Sequence, residues 1–115
     1  MEEIFSIIQF LRQAVKTGAS DEHLMVGHAP YLRNNGFIKK VTSQPLTKED
    51  IDNAILDIAP TSIRDKILTL CDVDFMYEIK GCSRFRINYN RQLGMPGLVI
   101  RNLSLIHISE PTRRS

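Results

Sequence analysis

Between Gly81 and Arg101 the chain reads GCSRFRINYNRQLGMPGLVIR, and its residue types alternate with a period of two. Phe85, Ile87 and Tyr89 fall on one side of an extended chain, and Arg84, Arg86, Asn88 and Asn90 on the other. A helix would scatter these residues around its circumference, whereas a strand sorts them into one apolar and one polar face. Arg84 to Asn90 is therefore expected to be a strand, and Leu98 to Arg101 the next, joined by a Gly/Pro/Met connection. Arginine recurs along the polar face, and the second strand ends on a further arginine, Arg101. Such a row is either a solvated surface or a surface turned toward an anion, because the guanidinium fork stays charged and matches phosphate oxygens. The run by itself leaves both readings open.

The preceding chain reads as alternating helical and extended pieces. Ile4, Phe5, Ile7, Ile8, Leu11, Ala14 and Val15 recur at helical spacing, which predicts a helix over Glu2 to Thr17, with Gly18 as its C′ residue. His23 to Val26 predicts a short strand. Tyr31 to Asn34 and Phe37 to Val41 predict a hairpin around Asn35-Gly36, a pair that tolerates positive φ. Ser43 to Pro45 is expected as loop. Thr47, with Asp50 three residues on, predicts a capped helix carrying Ile51, Ala54, Ile55 and Ile58 on one stripe. Pro60 ends it. Thr61 or Ser62 is expected to cap a third helix through Ile63, Ile67, Leu68 and Leu70, and Asp74 to Lys80 predicts a strand turning at Gly81. The order implies an α+β domain around a mostly antiparallel sheet of about six strands, with three helices.

The chain has 115 residues, enough for one domain with its own core. A net charge of +2 is too small to imply nucleic acid or an acidic membrane surface. Cys71 and Cys82 have neither metal-ligand nor redox-pair spacing and read as reduced thiols of an intracellular protein. The first residues do not form a signal peptide, and no apolar run has the length to span a bilayer. No glycine-rich loop ends in Gly-Lys-Ser/Thr, so the phosphate-cradling P-loop is absent. Asp21 and His23 can share a strand face. An isolated Asp-x-His points first to a hydrogen-bonded strand end, and to catalysis or metal binding only with further ligands. His28, between Gly27 and Ala29, reads as a solvated loop residue, and Lys39-Lys40 as a solvated hairpin end.

Several pieces, in order, resemble the N-terminal domain of the type II and type IV secretion motor ATPases, the family that includes the pilus retraction motors. They are GASDEHL near the start, the Asn-Gly hairpin, PLTKEDI, VDFMYEIKG, and RFRIN followed by GLVIR, whose arginine lies fifteen residues beyond Arg86. The resemblance covers residues 1 to about 102 and implies a PAS-like fold. It implies that the parent protein is a cytoplasmic homohexamer at the inner face of the membrane, working on an inner-membrane pilus platform protein. A RecA-like domain, missing here, would bind ATP and Mg²⁺, and this domain would pack against the RecA-like domains of its own and neighbouring subunits. This fragment would bind no cofactor and be inactive alone. By the same resemblance Arg86 and Arg101 would sense nucleotide phosphates on domain closure, while Arg84 and Arg91 are open to two readings, solvated side chains or an interface between subunits. Ala19, Ser20, Asp21 and His23 carry the family signature Ala-Ser-Asp-x-His. Glu22 departs from it, since the family has an apolar residue there, and this leaves open how deeply the strand is buried.

Leu103 to Arg113, LSLIHISEPTR, resembles the in-frame translation of a transposase adaptor used in sequencing libraries, with Arg114 and Ser115 from the adjoining index. Residues 103–115 are accordingly expected to be foreign, and the natural frame to continue past Asn102. Without Arg113, Arg114 and Glu110 the remainder has 13 basic and 12 acidic residues, a net of +1. That balance, and the lack of aromatic residues on the arginine face, weigh against nucleic-acid binding. The alternative to a motor domain is a self-contained PAS-like module sensing a small ligand, which would need an apolar pocket with convergent polar groups.

Overall fold

A computed structural model describes residues 5–34, 37–41 and 44–103. Helix α1 is Ile7–Lys16, later in its start than the periodicity suggested, because Ser6 takes the N-cap and its hydroxyl accepts from the Gln9 amide at 3.3 Å. Residues 2–4 of the expected helix lie outside the described residues. At the other end Gly18, at φ 79°, donates to Val15 and the next amide, Ala19, to Ala14, which closes a Schellman motif. Helix α2, Lys48–Ile58, begins in the anticipated capping box. Thr47 Oγ1 accepts from the Asp50 amide at 3.1 Å, and Asp50 Oδ2 reaches back to the Thr47 amide at 2.9 Å. Aspartate is therefore long enough to complete the box.

Helix α3, Thr61–Thr69, departs from expectation in two ways. Its N-cap is Pro60, whose carbonyl accepts from Ile63 and Arg64, while Thr61 is already helical and no side chain caps the end. The fixed φ of proline holds the entry to the helix, which makes a hydroxyl cap unnecessary. Leu68 and Leu70 do not join the apolar stripe: Leu68 is 76% exposed, and only Ile63 and Ile67 turn inward.

The strands are β1 (Asp21–Met25), β2 (Tyr31–Asn34), β3 (Phe37–Lys40), β4 (Asp72–Ile79), β5 (Ser83–Gln92) and β6 (Met95–Asn102). They form one antiparallel sheet in the order β3-β2-β1-β6-β5-β4, so the first and last strands meet at its centre. Asn34 stands opposite Phe37, and the Asn35-Gly36 turn lies outside the described residues, as does part of the Ser43 to Pro45 loop. Strands β5 and β6 are longer than the alternation suggested. Their connection is only Leu93-Gly94, both left-handed at φ 54° and 78°, a turn whose twist suits a two-residue hairpin. Met95 and Pro96 belong to β6. Gln92 and Met95 flank the turn as a hydrogen-bonded pair, so Arg91 opposite Pro96 is a non-hydrogen-bonded pair and the missing proline N–H breaks no β5–β6 rung.

The three helices cover one face of this sheet. Phe85, Ile87, Tyr89, Leu98, Ile100, Leu24, Leu32, Val73, Phe75 and Ile79 meet Ile7, Phe10, Leu11, Ala14, Ile51, Ala54, Ile55, Ile58 and Ile67 in a single core. Burying each large side chain contributes about 1.5–3 kcal/mol, which holds the layers together. Glu22 also points to this side and is 0% exposed, so the core-facing side of β1 is buried despite this carboxyl. The opposite face of the sheet carries no helix among the described residues.

Candidate functional site: a basic row on the open sheet face

Antiparallel register turns residues far apart in sequence into a line across the sheet. Arg86 on β5 faces Arg101 on β6, Arg101 faces Asp21 on β1, and Asp21 faces Arg33 on β2. All four belong to the uncovered face, because their neighbours Phe85, Ile87, Ile100, Asn102, Glu22 and Leu32 are the buried ones. Arg86 and Arg101 form a hydrogen-bonded pair of the β5–β6 ladder, and such partners stand about 5.5 Å apart at Cα, close enough for two guanidinium groups to converge on one anion.

Charge is distributed unevenly along the row. Arg33 donates to Asp21 Oδ2, from Nε at 3.2 Å and Nη2 at 3.1 Å. Ser20 Oγ bonds Asp21 Oδ1 at 2.8 Å, and His23 Nε2 lies 3.2 Å from Asp21 Oδ2. Partial burial of the Asp21 carboxyl disfavours its charge, but the bonds from Ser20 and His23 and the Arg33 charge prevail and hold it below the ordinary carboxylate range. Asp21 is thereby spent on Arg33. Arg86 and Arg101 are exposed, and among the described residues neither has an ion pair or a side-chain hydrogen bond. Two unneutralised arginines remain side by side.

The surrounding rows are polar and self-satisfied. Asn88 donates to Asp72 at 2.8 Å and to Asp74 at 3.2 Å, and its own carbonyl accepts from Asn90 at 2.9 Å. Arg84 stands opposite Glu78. Arg91 is apart from the other arginines: it turns toward α3, where Nη1 donates to the Ile67 carbonyl at 3.4 Å. The four arginines singled out in the sequence thus divide into an adjacent pair, Arg86 and Arg101, a flank, Arg84, and an outlier, Arg91.

The signature residues build the corner that aligns this row. Ala19 is buried, and its carbonyl accepts from Asn102 Nδ2 at 2.7 Å. The Ser20 amide donates to the Arg33 carbonyl at 2.9 Å, and the Ser20 carbonyl accepts from the Asn102 amide at 3.0 Å. His23 does share a face with Asp21, and its ring stacks on Tyr31 with centroids 4.8 Å apart and planes 7° off parallel. The corner therefore ties β2, β1 and β6 together where Arg33, Asp21 and Arg101 meet. Arg33 escaped the sequence reading because only the β1–β2 register brings it to Asp21. No local pattern carried that signal. Among the described residues no cluster of His, Cys, Asp and Glu could hold a metal ion, both cysteines are free, and no helix is long and apolar enough to cross a membrane.

No protein-family model matches the chain. Among curated proteins it is 32% identical over 97 residues to the type IV pilus retraction ATPase PilT of Pseudomonas aeruginosa, covering 84% of this chain and 28% of that protein. It is 27% identical over 95 residues to the type IV pilus ATPase PilU of the same organism, covering 83% of this chain and 25% of the relative. The chain thus spans about a quarter of the length of these relatives. Among solved structures, the pilus retraction motor PilT with bound ADP superimposes with a TM-score of 0.75 at 33% identity, over 84% of this chain and 29% of that one. The ATPase DotB of Legionella pneumophila shares the fold, with a TM-score of 0.72 at 21% identity, over 89% of this chain and 31% of that one. Sequence and fold agree that this chain is homologous to the N-terminal part of the pilus retraction ATPases.

Proposed function

We propose that residues 1–102 are the N-terminal regulatory and assembly domain of a hexameric type IV pilus retraction motor, and that Arg86 and Arg101 engage nucleotide phosphates when this domain closes on an ATPase domain. The observation that carries the reading is the adjacency of two exposed, unneutralised arginines on neighbouring central strands. Like charges held this close repel unless an anion lies between them, and phosphate oxygens match two guanidinium forks. In phosphoryl transfer such groups stabilise charge that spreads over the phosphate oxygens, and an arginine on a moving domain couples that stabilisation to closure. ATP and Mg²⁺ would be held by a RecA-like domain of the same or a neighbouring subunit. The motor would work in the cytoplasm at the inner face of the membrane, against a pilus platform protein. In this reading residues 103–115 are foreign to the domain.

The testing experiment replaces the N-terminal segment of the Pseudomonas retraction ATPase with residues 1–102 and measures ring assembly and ATP turnover. Hexamers that hydrolyse ATP are the expected result. A chimera with folded halves that neither assembles nor turns over would refute the proposal. The isolated chain, in contrast, should release no phosphate from ATP, since a P-loop and magnesium ligands are missing from its sequence. Steady release from purified protein, abolished by a point change within residues 1–102, would contradict this. Removing residues 104–115 should leave the thermal midpoint nearly unchanged. Leu103 keeps its amide bond to the Arg84 carbonyl at 2.9 Å. A fall of several degrees, about 1 kcal/mol for a domain of this size, would show that the tail belongs to the fold.

A further inference from the structure

On the core side of the same corner, one residue away from Asp21 and one from Arg101, two polar side chains are buried together. Glu22 is 0% and Asn102 2% exposed. Neither Glu22 Oε1 nor Oε2 has a hydrogen-bond partner, and neither does Asn102 Oδ1. Among the described residues no cation faces the carboxyl. Its strand neighbours in register are Leu32 and Ile100, and α1 and α2 bring only Ile7, Phe10, Leu11, Ala14, Ile51, Ala54, Ile55 and Ile58 to the core. The one charged group acting on it is Asp21, of the same sign.

The Asn102 amide has a defined orientation. Its NH₂ group donates to the Ala19 carbonyl at 2.7 Å, and a carbonyl accepts only from a donor, so Oδ1 is the atom left over. An ionised Glu22 would leave that oxygen without a donor and its own charge buried without a cation. A neutral carboxylic acid supplies the missing O–H donor and satisfies both residues. We propose that Glu22 is a carboxylic acid in the folded domain and donates to Asn102 Oδ1, acting as a positioning residue that clamps the end of β6 onto β1 and keeps Arg101 beside Arg86. The importance of that placement rests on the nucleotide reading above; the clamp itself does not. Burial, opposed by the Asn102 amide and reinforced by Asp21, pushes the Glu22 carboxyl from 4.5 up to about 8. Rising pH through that value removes the donor and opens the corner.

The test uses the 115-residue chain with its glutamate carboxyl carbons labelled for NMR. Glu22 should titrate near 8. A wild-type midpoint near 4.5 would mean a solvated carboxylate and would overturn the clamp. A second readout is hydrogen exchange at the Asn102 amide, bonded to Ser20. At pH 9 it should exchange faster in the wild type than in Glu22→Gln, whose amide donates at every pH, and equal rates would also overturn the proposal. If the clamp holds but Arg101→Ala turns over normally in the chimera, the nucleotide reading fails alone.

Discussion

ATP turnover by the chimeric hexamer should fall about 10³-fold when either Arg86 or Arg101 is replaced by alanine, the scale of an arginine finger in phosphoryl transfer. Nucleotide affinity should change far less, because the bulk of binding belongs to the ATPase domain and the arginines act on charge that develops in the transition state. Lysine should rescue poorly, since a point charge does not reproduce the planar fork. The double replacement should cost little more than either single one, because two residues that serve one closed state are coupled. Arg91→Ala is the comparison. Its guanidinium turns away toward the Ile67 carbonyl, so its loss should be felt in stability and only slightly in turnover. Unchanged turnover in Arg86→Ala and Arg101→Ala, with hexamers intact, would return the row to a solvated sheet face.

How far the sequence revealed this arrangement varied with the range of the interactions involved. Period-two alternation in Arg84 to Asn90 is a property of neighbouring residues, and the faces it assigned are those of the folded sheet. The capping box at Thr47 and Asp50 is equally local and was equally legible. Strand ends were read short, because Ser83, Gln92 and Met95 carry no hydropathy signal and owe their place to pairing across the hairpin. The cap of α3 was misread for a similar reason: Pro60 fixes the backbone without a side-chain bond, and a hydroxyl nearby drew the assignment to Thr61 or Ser62. Long-range register was not legible at all. Arg86 and Arg101 could be singled out one by one, but their meeting exists only in the β5–β6 register, and the pairing of Asp21 with Arg33 only in the β1–β2 register. Glu22 shows the converse. It stands where the family signature has an apolar residue, and that departure left open the burial that the structure shows.

Replacing Glu22 with glutamine should raise the stability of the domain by about 3 kcal/mol at pH 7, and by little at pH 4. The carboxyl binds its proton up to about pH 8 in the folded state against an ordinary value of 4.5, and each pH unit of that difference is worth about 1.4 kcal/mol. Between these limits the unfolded chain holds fewer protons than the folded one, so stability falls as pH rises, and above about 8 the loss levels off. Glutamine has no proton to lose, and its denaturant midpoint should lack this slope. Subtracting the two pH profiles isolates Glu22 from Asp21, whose lowered value affects only more acidic conditions. Leucine should gain less than glutamine, because it leaves the Asn102 carbonyl oxygen without a donor, at a cost of about 1–3 kcal/mol. The measurement is urea unfolding of the wild type and both variants from pH 4 to pH 9. Parallel profiles for wild type and glutamine would mean that Glu22 ionises as freely in the fold as outside it, and that its carboxyl is not buried as the structure places it.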